Sequence, residues 1–175
     1  MKNNSASIRY ILFLFIALSL FFGNNLMAQE NGIYEVTQKG KSDKEYGKGA
    51  NKMNNDRTEF YNLAFNLHPT YYFENNFLKT SYDSGNLSKL TFEDAKSSNI
   101  VKNEDPKYDQ VELITIALEN ISDLKNSIDL SKDKNLKKLK YVYIKCYFNC
   151  SEDDIKKFIQ TDKNVRIFYS NIIGG

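Results

Sequence analysis

Few side chains in this 175-residue chain are of types that could do chemistry. They are two cysteines, Cys146 and Cys150, a single histidine, His68, and the acid pairs Glu93-Asp94, Glu104-Asp105 and Asp153-Asp154. Two thiols can close a disulfide in an oxidising compartment if their Cα atoms come within about 7 Å. Along a straight strand, residues 146 and 150 would stand roughly 13 Å apart at about 3.3 Å per residue. A Cys146–Cys150 bridge therefore requires the chain to turn between Phe148 and Cys150. The alternative keeps both as thiols, with Cys146 in the core in alternation with Val142, Ile144 and Phe148, and Cys150 just outside a helix start. C-x-x-x-C is not the spacing of a zinc ribbon and other ligands are scarce, so neither a metal nor a cofactor is expected.

Any catalytic triad would have to run through His68. It precedes Pro69 at a predicted turn, without a serine or cysteine nucleophile motif, and reads as a surface residue. Two carboxylates can break a glycoside only at a defined spatial separation, and Asp153-Asp154 already has a structural task at a predicted helix N-terminus. Gly40-Lys41-Ser42 resembles the end of a phosphate loop, but G-x-x-x-x-G-K-[ST] needs glycine where Glu35 stands. Asp129, Asp133 and Asn135 lack the spacing of a calcium loop. No catalytic residue is assigned, and an extracytoplasmic hydrolase working through scattered acids is kept only as the alternative.

What remains is surface. If the rear strands are parallel neighbours, Thr91, Thr115, Tyr143 and Arg166 share one face, flanked by Tyr141, Lys145 and Phe168. Tyr, Arg and Lys together are typical of interaction surfaces. Tyr141, Tyr143, Lys145 and Arg166 are thus the candidate binding residues, with an outward row of Tyr141, Tyr143 and Tyr147. The competing reading buries this face under a helix or under the front of the chain.

The elements that must position these residues follow an export signal. Lys2 and Arg9 open the chain, an apolar run extends from Tyr10 to Phe22, and Leu26-Met27-Ala28 precedes Gln29. Residues 1–28 read as a secretory signal peptide, because the apolar run is shorter than the roughly 20 residues of a spanning helix. The expected destination is periplasm, cell surface or medium, with no membrane span after cleavage. Cleavage removes Lys2 and Arg9, leaving 22 basic residues against 22 acidic ones. A balanced surface gives no electrostatic case for nucleic acid.

Residues 29–105 read as β-rich. A short strand, Gly32–Thr37, precedes a loop at 39–57 that reads as mobile because it is nearly devoid of apolar residues. Tyr61, Leu63, Phe65 and Leu67 alternate as in a strand, Thr70–Glu74 returns, and Phe77–Tyr82 and Leu87–Glu93 flank Asp83-Ser84-Gly85-Asn86 as a hairpin. Residues 106–175 read as a strand–helix–strand layer packed with the front as one domain. Val111–Leu118 is apolar on both faces, Tyr141–Phe148 is a second strong strand, and Ser151-Glu152-Asp153-Asp154 is a capping box. Asn164–Tyr169 returns as a strand, which suggests a parallel crossover.

Apolar pairs recur at Leu90/Phe92, Ile114/Ile116, Val142/Ile144 and Val165/Ile167, with second members spaced 24, 28 and 23 residues apart. Leu136-x-x-Leu139-x-x-Val142-x-Ile144 resembles the core pattern of leucine-rich repeats. The front, with Gly32-Ile33-Tyr34-Glu35-Val36 and Phe65-Asn66-Leu67 leading to Tyr72-Phe73-Glu74, resembles exported GLPGLI proteins, although the family's later hallmarks are absent. That resemblance implies a β-rich exported protein and carries no functional residues. The expected fold is α+β: an N-terminal antiparallel β-meander, then a strand–helix–strand layer with leucine-rich-repeat-like character. The expected function is non-enzymatic binding of a protein or envelope partner through a strand face, with a structural envelope component as a further alternative.

Overall fold

Two apolar runs rich in β-branched and aromatic residues, Leu113–Leu118 and Tyr141–Cys146, lie at the centre of a sheet and are buried on both faces, apart from half-buried Ala117 and Lys145. The computed structural model describes residues 32–36, 50–82, 85–103 and 105–173, with 50–55 as backbone only, all within the compact unit of residues 31–175. Its strands and α-helices are β1 (Ile33–Glu35), α1 (Ala50–Phe65), β2 (Thr70–Glu74), β3 (Phe77–Tyr82), β4 (Lys89–Phe92), β5 (Leu113–Leu118), β6 (Ile128–Asp129), β7 (Tyr141–Cys146), α2 (Glu152–Phe158), β8 (Ile159–Gln160) and β9 (Arg166–Asn171). The main sheet has the order β1-β9-β7-β5-β4-β2-β3, and β6 and β8 form a separate parallel pair. Among the described residues the β2–β3 pair is antiparallel and the other neighbouring pairs of the main sheet are parallel. The fold is α+β.

Period-two alternation splits the sheet into two faces. One face carries the register row Leu90, Ile114, Val142 and Ile167, and above it the row Phe92, Ile116, Ile144 and Tyr169. These residues pack against the connections between the strands. Val101 and Tyr108 come from 3-10 turns, Ile128 and Ile159 from the small parallel pair, and Ile155 and Phe158 from α2. The Ser151/Asp154 capping box starts α2 as its sequence predicts. The opposite face carries Leu113, Tyr141, Tyr143 and Phe168, and on it lies α1 with Phe60 and Leu63.

Several expectations change. The predicted antiparallel front is instead part of a mostly parallel sheet. Residues 59–65 are helical, because the stripe that matters is Phe60, Leu63 and Ala64 at helical spacing. Of the alternating residues, Tyr61 packs half-buried beside this stripe, whereas Phe65 and Leu67 are exposed, Leu67 to 78%. That helix begins at Ala50, inside the segment expected to be a mobile loop; the rest of that loop, from 39 to 49, lies outside the described residues, as does the signal segment 1–28. β3 and β4 do not pair, because β2 sits between them. The hairpin turn is Asn75-Asn76, both at positive φ (52° and 64°), the conformation a two-residue turn with right-handed twist demands. The last apolar pair also shifts by two residues. Ile167 and Tyr169, not Val165 and Ile167, align with Val142 and Ile144.

Candidate binding face of the sheet

Tyr141, Tyr143 and Lys145 alternate along β7 and so project from the same face; Arg166 stands beside Tyr141 on β9. The structure therefore brings the four candidates together, and α1 then divides them. Phe60 stacks on Phe168 with ring centroids 3.8 Å apart and packs edge-on against Tyr141 and Tyr143 at 5.9 and 5.5 Å. Both tyrosines are buried. Tyr147, placed in the same outward row by its spacing, follows the end of β7 and is exposed.

Polar atoms at the α1 end of this face are occupied. The Tyr141 hydroxyl donates to Glu59 Oε2 at 2.9 Å, and Lys140 Nζ donates to Glu59 Oε1 at 2.6 Å. Arg166 forms an ion pair with Asp56. The hydrogen bond from Lys140, opposed by burial and helped by Tyr141, holds Glu59 below its ordinary pKa; burial, then Glu59, pushes the Tyr141 phenol upward. Tyr143 shares a 2.8 Å hydrogen bond with Ser170. The Glu59 and Asp56 contacts seat the helix; Tyr141 and Tyr143 are buried, and half-buried Arg166 is engaged by Asp56.

Beyond the C-terminus of α1 the face changes character. Lys89 is 8% exposed, and its Nζ donates to the carbonyls of Leu63 at 3.0 Å and Asn66 at 3.2 Å. It thereby satisfies carbonyls that the end of the helix leaves without intrahelical donors. Lys145 has no such acceptor: no hydrogen bond or ion pair links its ammonium to another described residue. The ammonium stands 5.8 Å from the centroid of the Tyr143 ring. Burial lowers the pKa of Lys145, against a weaker upward pull from Glu93; burial and then the Lys145 charge lower that of Lys89. Around Lys145 the face is open: Thr91, Ala117 and Tyr72 are half-buried and Phe65 is 56% exposed. Thr91 and Thr115 are register neighbours in the row that leads to Tyr143.

Lys89, Glu59, Asp56 and Phe60 were not singled out from the sequence. The i, i+3, i+4 spacing of Phe60, Leu63 and Ala64 was the signal available for the helix. Lys89 offered none, since a lysine opening a strand looks like a solvated edge.

The other chemical candidates are engaged locally. His68 Nε2 lies 3.1 Å from the Asn62 carbonyl oxygen, at the turn after α1. Glu93 accepts from Lys79 at 2.5 Å; Asp94 accepts from Ser97 and from the Asn75 backbone; Asp105 accepts from the Lys107 backbone. Glu104 lies outside the described residues. Asp129 and Asp133 line an open cleft of about 540 Å³ with Lys102, Lys132, Lys134 and Asn135, and both carboxylates accept hydrogen bonds from residues two positions on. No group of three or more potential metal-binding side chains occurs among the described residues. Nor is any described helix long and apolar enough to cross a membrane. Cys146 and Cys150 are buried free thiols. In comparisons with known proteins, no family model, no curated protein and no solved structure matches the chain.

Proposed function

We propose that this is an exported, non-enzymatic binding module that holds an acidic segment of a protein partner on the open part of its sheet face, at Lys145. The observation that carries the reading is the contrast between two lysines on one face. Lys89 is satisfied by two carbonyls, whereas Lys145 is partly desolvated without an acceptor among the described residues. A half-buried cation with no hydrogen-bonding acceptor and only the weaker pull of Glu93 costs stability, and a carboxylate from a partner would offset that cost. Half-buried Thr91, in the adjacent register row, adds a hydroxyl to the same face, and exposed Phe65 adds apolar area at the rim.

Consecutive parallel strands with their connections packed on one side support a leucine-rich-repeat-like arrangement, in which the opposite face is the one available to partners. In this chain α1 covers part of that face, so the proposed site is the remainder, towards the carboxyl ends of β4, β5 and β7. Engagement of the acid pairs in caps and ion pairs weighs against the hydrolase alternative.

The test is an amide NMR titration of the isotopically labelled protein with an acetylated tetraglutamate peptide, using tetraglutamine as control. Saturable shifts at Thr91, Ala117 and Lys145 with the glutamate peptide alone, lost in Lys145→Gln, are expected. Shifts spread over the exposed lysines at 132, 134 and 137, or no shifts at all, would overturn the reading.

A further inference from the structure

The sheet face at Lys145 leaves unused a second feature on the opposite side of β7, the paired thiols. Cys146 ends β7, and its side chain lies in the main core; Cys150 immediately precedes Ser151, the N-cap of α2. Between them the chain bends at Tyr147 and Phe148, which supplies the turn that a bridge across three residues requires. The bend is fixed from both sides. Tyr147 N–H donates to the Leu118 carbonyl at 2.9 Å, which holds the end of β7 to β5. Asn171, on β9, then clamps the backbone of Cys150: its Oδ1 accepts from Cys150 N–H at 2.9 Å and its Nδ2 donates to the Cys150 carbonyl at 3.2 Å. Both side chains lie buried in the same core cluster, one at each end of this fixed bend.

We propose that Cys146 and Cys150 are oxidised to an intrachain disulfide as the chain folds after export, with the disulfide of a thiol–disulfide oxidoreductase as oxidant. The inference rests on the export reading for its supply of oxidant, and on the geometry above for its pairing. In the first step the Cys150 thiolate attacks one sulfur of the oxidant, forming a mixed disulfide and expelling the oxidant's other sulfur as a thiolate. The Cys146 thiolate then attacks the Cys150 sulfur, closing the Cys146–Cys150 bond and releasing the second oxidant sulfur. Two electrons pass to the oxidant, and the two thiol protons end on its two sulfurs.

Cys150 is the entry point because it lies on the loop between β7 and α2 and stays accessible until α2 docks, whereas Cys146 is held within the strand. In the finished fold burial raises the pKa of both thiols, which disfavours thiolate exchange once α2 has docked. Burial of both sulfurs in the finished fold places the exchange during folding, before α2 docks, and shields the product from later reduction.

The full chain is expressed in a bacterial host, quenched in acid, separated into exported and cytoplasmic fractions, denatured and treated with a maleimide, and its intact mass is measured. The exported protein should take up no maleimide before reduction and two equivalents after it. Exported protein that takes up two equivalents without reduction would overturn the disulfide. If the chain is found only in the cytoplasm, the export reading fails by itself. The reduced purified chain equilibrated with glutathione disulfide then decides the pairing: a mass lower by two hydrogens supports it, and free thiols or glutathione adducts overturn it.

Discussion

Phe60 of α1 lies flat on Phe168 of β9, ring centroids 3.8 Å apart and planes inclined by only 11°. Phe60 also meets Tyr141 and Tyr143 edge-on, so one side chain covers two of the four residues that a reading of the sequence would offer to a partner. Offset and edge-to-face contacts of this kind add to the large area an aromatic ring buries. The helix thus covers part of this face over β5, β7 and β9, seated by one ring and by the Asp56–Arg166 and Glu59–Lys140 pairs at its side.

Replacing that ring should detach the helix. Phe60→Ala is expected to lower stability by about 3–5 kcal/mol, the usual cost of deleting a buried aromatic side chain. Urea unfolding followed by far-UV circular dichroism measures it, and the tyrosine fluorescence of the still-folded variant should report wetter surroundings for Tyr141 and Tyr143. A loss below about 1 kcal/mol would mean that the helix is not held to the sheet by this contact.

Asp94 ties the β2–β3 turn to the 3-10 segment that follows β4, accepting from Asn75 N–H, Ser97 N–H and the Ser97 hydroxyl at 2.8, 2.8 and 2.6 Å. Burial alone would raise its pKa, but the Ser97 hydroxyl and the backbone donors outweigh it and lower the value in the folded state. A carboxyl with a depressed folded pKa contributes stability that is fully present above its unfolded value. That contribution is lost as pH falls through the folded value. Asp94→Asn should therefore destabilise the protein at pH 7 by about 1–2 kcal/mol, as removal of a capping acceptor does. It should also make stability depend less on pH below the ordinary aspartate range, which urea titrations at several pH values would measure. An unchanged acid limb would show that Asp94 is not the linked group.

Asn75 and Asn76 hold positive φ in a turn that most residues enter only at a cost. Asn76→Gly should leave stability unchanged or raise it by a few tenths of a kcal/mol, and Asn76→Val should lower it by about 1–2 kcal/mol. Chemical denaturation of the two variants checks the order. A valine variant as stable as the parent would require a different turn.

The parallel core was legible where both faces of a strand are apolar and the pairs are spaced by two. Leu90/Phe92, Ile114/Ile116 and Val142/Ile144 fall into register as their pattern suggested. The final pair was misplaced because Val165, Ile167 and Tyr169 are all apolar at alternate positions, so the pattern alone admits either register. α1 was hidden because Tyr61, Leu63, Phe65 and Leu67 imitate a strand in an asparagine-rich segment, and tertiary contacts through Phe60 decide for the helix. Asp83-Ser84-Gly85-Asn86 carries stronger turn chemistry than Asn75-Asn76, which drew the hairpin to the wrong place. Of the candidate site, the shared face of Tyr141, Tyr143 and Lys145 follows from alternation; which of them stays uncovered depends on α1 and could not be read from β7.

The measurement that bears most directly on the central claim is the titration of the Lys145 ammonium, followed by side-chain NMR with and without the acetylated tetraglutamate peptide. Burial without a partner disfavours the charged form, so the free protein should release this proton below the ordinary lysine range, and stability should rise with pH as the penalty is relieved. Addition of the peptide should move the titration upward as a carboxylate joins the ammonium. Lys145→Gln should be at least as stable as the parent near neutral pH. A Lys145 that titrates like a solvated lysine and ignores the peptide would contradict the account.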